Sequence, residues 1–246
     1  MAIEIARDAE RGPKVGLEKM GETSRWLLHL FDLMLAHFGS RGWWPAETRF
    51  EVAVGAILTQ SVSWNNASLA VQNLAEAGYL DPRQLDAAPE DEIARLIVPS
   101  RYYRQKARKL KAFTRVLVRD FDGDIGAMLA GKTQDVRRRL LAIHGIGPET
   151  ADCILLYAGE HPIFVVDAYT RRIFARLGVW DEGVGYDAMQ AYFHAHLPPD
   201  VPLYNEYHAL IDGVGNRYCR ARRPLCHQCP LLPACPAGQQ GGGELA

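Results

Sequence analysis

Between Leu140 and Arg172 the chain reads LLAIHGIGPETADCILLYAGEHPIFVVDAYTRR, and this stretch limits the possible fold more than any other. An apolar helical pattern is interrupted at His144-Gly145-Ile146-Gly147 and resumes at Pro148. Glycine adopts positive φ without a Cβ clash. Proline suits the first position of a helix, because its fixed φ is helical and no partner is needed there for an N–H. The spacing predicts helix, tight turn, helix. The second helix, 149–158, starts on backbone N–H groups able to hold an anion such as phosphate. Its apolar positions Ala151, Ile154, Leu155 and Ala158 share one face and turn inward. Asp167 follows the apolar run Ile163 to Val166 and stands where the next helix should begin. Taken alone, an aspartate there reads as an N-cap.

The rest of the chain follows the same helical rhythm. Residues 1–23 are polar and read as a flexible tail. Ser24 is expected to cap an apolar helix through Leu35, and Thr48 a second, nearly all-apolar helix from Phe50 to Thr59. Further helices are expected from Trp64 to Ala77, after Asp81 and Ala88, from Tyr102 to Arg119, and over 124–130 and 133–142. Three more follow over 167–177, 186–196 and 203–216, and a Gly-rich tail closes the chain. No period-2 pattern stands out, and Ile163 to Val166 reads as an extended connection. The expected class is all-α.

Hydrophobic residues make up 48% of the 246, an ordinary globular share. The first twenty residues lack the apolar core of a secretory signal, and no run approaches the roughly 18 apolar residues of a membrane span. No membrane association and a cytoplasmic location are therefore expected. The net charge of −1 gives no overall pull on nucleic acid, so any such affinity must be local. Three basic clusters could supply it. One is the helix carrying Arg101, Arg104, Lys106, Arg108, Lys109, Lys111, Arg115 and Arg119. The others are Arg137 to Arg139, and Arg171, Arg172 and Arg176.

Four of the five cysteines lie close together: Cys219-x6-Cys226-x2-Cys229-x5-Cys235. Four thiolates in one short segment can enclose a single metal centre, and spacing alone leaves zinc and an iron–sulfur cluster both open. Cys153 reads as a small buried apolar residue.

Helix–Gly-x-Gly–helix, then Val165-Val166-Asp167, then the four-cysteine segment, resembles the endonuclease III family of helix-hairpin-helix DNA glycosylases. The resemblance runs from about Thr48 to Cys235 and takes in Phe50-Glu51, Leu58-Thr59-Gln60 and the segment YRQKA at 103–107. It implies two all-α domains. Residues 45–163 would form a six-helix domain with the helix-hairpin-helix at 134–159, and 24–44 with 164–246 would form the other, carrying the cluster loop. It favours [4Fe–4S] over zinc on Cys219, Cys226, Cys229 and Cys235. It implies a monomer on double-stranded DNA carrying a damaged base, lying across the cleft between the domains, with Gly145 and Gly147 gripping a phosphate through the main chain. Asp167 would be the essential catalytic carboxylate, Gln60 would fill the space left by a flipped nucleotide, and Tyr102 would wedge the opposite strand.

One departure is informative. Family members that also cut the backbone carry a lysine at the position of Glu149, and that amine forms a Schiff base. Glutamate cannot, and no lysine follows Lys132. The expected activity is therefore monofunctional: base release by water, leaving an abasic site. Trp43-Trp44-Pro45, Trp64 and His144-Gly-Ile-Gly resemble the 3-methyladenine glycosylase branch. There, Trp43, Trp44 and Trp64 would stack on a cationic alkylated purine. Two alternatives stand beside this: a glycosylase for oxidised pyrimidines or mismatched bases with weak strand cleavage, and a non-catalytic damage-binding protein.

Overall fold

A computed structural model describes residues 20–181 and 183–240, and among them it holds helices and turns but no strand. Among the described residues no helix is long and apolar enough to cross a membrane. Residues 1–19 of the expected tail, and the end of the Gly-rich segment, lie outside this range. The described chain forms two compact units. One is Trp44–His161; the other joins residues 20–43 to those from Pro162 onward.

The first unit contains α2 (Arg49–Leu58), α3 (Trp64–Glu76), α4 (Pro82–Ala87), α5 (Glu90–Leu96), α6 (Tyr103–Phe121), α7 (Ile125–Leu129), α8 (Thr133–Leu141) and α9 (Pro148–Cys153). Several of these begin on side-chain caps that were readable from sequence. Thr48 Oγ1 accepts from the Glu51 N–H at 3.1 Å, Asp81 from Arg83 and Gln84, and Asp124 from Gly126 and Ala127. Each such cap satisfies N–H groups that the helix cannot pair itself. Helix α2 is buried from Val52 to Leu58 and packs against α3, α6, α7 and α9. It is the axis of this unit. Phe50 lies over Phe113 of α6, ring centroids 6.4 Å apart. The helix expected over 149–158 is α only to Cys153. From Ile154 to Ala158 it widens to a π turn, closed by the Gly159 N–H on Ile154 O at 3.0 Å.

The second unit contains α1 (Glu22–Phe38), α10 (Ala168–Arg176), α11 (Tyr186–His196), α12 (Val201–Arg217) and α13 (Pro236–Gln239). Helix α1 starts two residues before the expected Ser24 cap. Extended Gly21 opens it, Glu22 faces the positive end of its dipole, and Ser24 is buried inside it. Helix α12 packs against α1 and α10. The core is aromatic: Phe164 and Phe193 stack at 3.9 Å, with Tyr204, Tyr207 and Phe174 edge-on around them. Cutting Phe193 back to alanine here should cost about 3–5 kcal/mol. Ile163 to Val166 is an extended, fully buried connection. Its backbone is paired by side chains: the Phe164 N–H donates to His194 at 2.9 Å, and Gln190 donates to Phe164 O at 2.7 Å.

Candidate functional site

The hairpin between α8 and α9 is shaped by packing on both sides. Ile143 and Ile146 are buried beneath it, and the Ile146 N–H closes the turn on Ile143 O at 3.1 Å. Gly145 has φ +85°, and a Cβ there would stand 2.2 Å from Cγ of Lys109. Both the backbone conformation and the lysine stem therefore demand glycine. Gly147, extended and exposed, has nothing within 4 Å of where a Cβ would be, so another backbone can approach it. Glu149 is exposed in the first turn of α9. The hairpin's two helices are tied by Arg137, whose guanidinium meets fully buried Asp152 at 2.7 and 3.1 Å.

Gln60, at the end of α2, reaches this hairpin. Its amide donates to Gly145 O at 3.1 Å and to Thr150 Oγ1 at 2.9 Å, while its oxygen accepts from Lys109 Nζ at 2.5 Å. Tyr102 is 65% exposed. It follows Arg101, and both are left-handed, with φ of 41° and 55°. That conformation is costly for residues with a Cβ and holds only where neighbours enforce it.

The expected basic face of α6 is only partly outward. Lys106 is buried, with Nζ donating to Leu58 O at 2.9 Å and Ser100 O at 2.5 Å. Burial and the adjacent Lys109 charge pull its ammonium down to about 8. Lys111 donates to the carbonyls of Leu85, Asp86 and Ala88 at the C-terminal end of α4. Arg101, Arg104, Arg108, Arg115 and Arg119 remain exposed. Arg139 donates to Met128 O and covers the Phe121 ring.

Trp44 and Trp64 meet edge to face at 4.9 Å, and Trp44 also leans on Tyr157 at 5.3 Å. Beside them is a cavity of about 270 Å³, whose polar lining includes Glu47, Glu51, Ser68 and Gln72. Trp43 belongs to the other unit.

In the second unit Asp167 is the N-cap of α10. Its Oδ1 accepts both the N–H and the hydroxyl of Thr170, each at 2.7 Å. Its Oδ2 lies 3.7 Å from Nε2 of His208 on α12, and both side chains are nearly buried. Asp212, one turn further along α12, accepts from Asn216 at 2.9 Å, and Asn216 accepts from the Tyr169 hydroxyl at 2.7 Å. Burial pushes the Asp212 carboxyl above its usual range; His208 opposes this, and the Asp167 charge adds to it. Sequence reasoning missed His208 and Asp212. Their signal was a polar stripe at i, i+4 and i+8 along an otherwise apolar helix.

The four cysteines Cys219, Cys226, Cys229 and Cys235 are free thiols that line one small cavity with Arg176, Leu232 and Gly238. Among the described residues no three His, Cys, Asp or Glu side chains converge closely enough for one ion; the four thiols surround the cavity wall instead. A Cβ on Gly238 would stand 3.6 Å from Cys235 Sγ, inside this cradle. Burial pushes the Cys229 thiol up to about 11, and the other three thiols add to the rise. Such a set needs a cationic centre to ionise together, and its chemistry fits an iron–sulfur group. Two arginines of α10, expected to face DNA, hold this loop. Arg172 donates to Cys219 O at 2.7 Å, and Arg176 donates to Cys219 Sγ at 3.2 Å and Arg220 O at 2.8 Å.

Comparison with known proteins gives one family. The profile of the HhH-GPD superfamily of base excision DNA repair proteins matches residues 54–199. A Methanocaldococcus jannaschii protein named for a DNA repair glycosylase is 42% identical over 207 residues, covering 84% of this chain and 94% of its own. A non-covalent endonuclease III–DNA complex shares the fold at a TM-score of 0.76 and 22% identity, over 88% of this chain and 97% of that one. The Helicobacter pylori 3-methyladenine DNA glycosylase bound to 1,N6-ethenoadenine aligns at 0.67 and 26% identity, over 77% and 95%.

Proposed function

The chain belongs to the HhH-GPD superfamily of base excision DNA repair proteins, as an endonuclease III-like DNA glycosylase, and we propose that it hydrolytically releases an alkylated purine such as 3-methyladenine and stops at the abasic site. The observation that carries the substrate reading is the cavity beside Trp44 and Trp64, with Glu47 and Glu51 on its wall. Aromatic faces and carboxylates together favour a base that bears positive charge, as an N-alkylated purine does. The likeness to the Helicobacter pylori 3-methyladenine enzyme supports the same reading.

Asp167 supplies the chemistry. Thr170 holds one of its oxygens with two donors, which fixes the direction of the carboxyl group. The other oxygen, beside His208, faces the sugar as the C1′–N bond lengthens and the ring gains oxocarbenium character. The bonding electrons leave with the base. A purine already cationic departs neutral and needs no general acid. Water then bonds to C1′, and its proton passes to Asp167. Glu149 stands where an amine would be required for strand cleavage, so the reaction ends there.

Gly145 and Gly147 bring the hairpin backbone to a DNA phosphate, and the enzyme acts as a monomer. Cys219, Cys226, Cys229 and Cys235, which line one cavity, would hold a [4Fe–4S] cluster. When bound, the cluster supplies cross-linking of its loop rather than an open coordination site, since the chain fills all four positions.

Single-turnover assays on a panel of lesion duplexes test this reading. The expected result is released 3-methyladenine, intact strands with abasic sites, and no protein trapped by borohydride. A borohydride adduct would overturn the monofunctional assignment. Release only of oxidised pyrimidines or mismatched bases would replace the substrate, and tight lesion binding without any release would leave a damage-binding protein.

A further inference from the structure

Lys106 has the burial of a core residue and the charge of a surface one. Only 1% of it is exposed, and its ammonium donates to two carbonyls from distant parts of the first unit. Leu58 O ends helix α2, and Ser100 O ends the 3₁₀ turn Val98–Ser100. Carbonyls at such ends lack helical partners and carry the negative end of the dipole, so a cation suits both. Gln60 comes two residues after Leu58, and Tyr102 two residues after Ser100.

We propose that Lys106 is a positioning residue for entry into the duplex: one ammonium, by gripping Leu58 O and Ser100 O, fixes the spacing between Gln60 and Tyr102. The inference rests on the reading that these two side chains enter the base stack. Three further observations support it. Arg101 and Tyr102 are both left-handed, a conformation that persists only where adjoining structure fixes the chain, and the Ser100 anchor adjoins them directly. Lys109, one turn after Lys106 on the same face of α6, holds the Gln60 side-chain oxygen, and its stem covers Gly145. Ser100 is itself buried, with its hydroxyl turned back to Ile97 O at 2.7 Å, so the anchor point does not swing. A lysine is required because an apolar side chain would leave two helix-end carbonyls buried without a donor.

The test is a duplex carrying a tetrahydrofuran abasic analogue next to 2-aminopurine, whose fluorescence rises when it unstacks. At saturating wild-type protein the signal should rise. With Lys106→Met it should fall several-fold toward that of free DNA, as with Gln60→Ala/Tyr102→Ala. Adding Lys106→Met to that double variant should change nothing more, since the lysine acts through those two residues. If Lys106→Met does not fold by circular dichroism, Lys106→Gln, which keeps an amide donor on a shorter stem, is read in the same way. No rise with wild type, a wild-type rise with the variant, or a further loss in the combined variant would each overturn the proposal. The signal does not depend on which base is excised. A protein that unstacks DNA but releases no alkylpurine refutes the proposed substrate and leaves this inference standing.

Discussion

Oδ2 of Asp167 lies 3.7 Å from Nε2 of His208, while Oδ1 is taken up by both donors of Thr170. One oxygen starts helix α10 and the other is the one the proposed reaction would use, so the two duties can be separated. Asparagine caps a helix as well as aspartate does. Asp167→Asn should therefore melt close to wild type while base excision falls on the order of 10²–10³-fold or more. Asp167→Ala should lose excision and also about 1 kcal/mol of stability, the value of the cap. Single-turnover excision and thermal denaturation measured side by side check this. Normal excision by the asparagine variant would remove Asp167 from the reaction.

The Arg137–Asp152 pair should behave as a buried ion pair. Asp152 has no exposed surface, and it meets two nitrogens of the guanidinium. Arg137→Met strips the carboxylate of its counter-charge and should cost about 3–5 kcal/mol in urea unfolding. Arg137→Met with Asp152→Leu should recover much of that loss, because neither charge then has to be buried. A single variant as stable as wild type would show that the pair does not join α8 to α9 energetically.

These two sites illustrate how far sequence reasoning reaches. Caps such as Thr48, Asp81 and Asp124 were legible because each binds an N–H two or three residues away. The start of α1 was not, since Gly21 carries no capping side chain. Lysines 106, 109 and 111 read as a basic face because a lysine on a charged helix looks the same whether it meets water or a carbonyl. For Lys106 that carbonyl is 48 residues away. Arg172 and Arg176 misled for the same reason, as their partners lie 47 and 43 residues on, in the Cys219 segment beyond α11 and α12. Asp167 drew notice from its place before a helix, but its neighbour His208 is fixed only by packing of α12 on α10.

Lys106 also gives stability a pH dependence. Its folded pKa is lowered from 10.5 to about 8, chiefly by burial. Below pH 8 both folded and unfolded chains carry the proton. Between about 8 and 10.5 the unfolded chain holds more protons, so this residue's contribution to stability rises with pH. The buried Tyr204 hydroxyl, raised to about 12, acts oppositely above pH 10, where the unfolded chain ionises first. Over pH 8 to 10, therefore, the stability of wild type relative to Lys106→Met should increase. Denaturant midpoints of both proteins across that range check the sign. A difference that shrinks with pH would mean that the two carbonyls hold the ammonium's proton more tightly than water does and outweigh the effect of burial.

The cysteine loop yields a prediction that needs no DNA. Four thiols around one cavity, backed by Arg172 and Arg176 on α10, form a loop whose own apolar contacts are few; Leu231 alone in the segment from Cys226 to Cys235 is buried. Such a segment would depend on the proposed metal centre for order, because thiolates gathered around one cavity are stable only with a cation between them. Anaerobically purified protein should show broad visible absorbance, with iron and acid-labile sulfide each at roughly four per chain. Cys229→Ser should lose that absorbance and lower the melting temperature, and Arg176→Met should make the cluster easier to remove with a chelator while leaving its iron content when fresh. The arginine's contact with Cys219 Sγ is the reason for the second effect, since it would offset negative charge on a metal-bound sulfur and it closes the loop over it. A colourless protein with one zinc per chain would replace the iron–sulfur assignment while keeping the same four ligands.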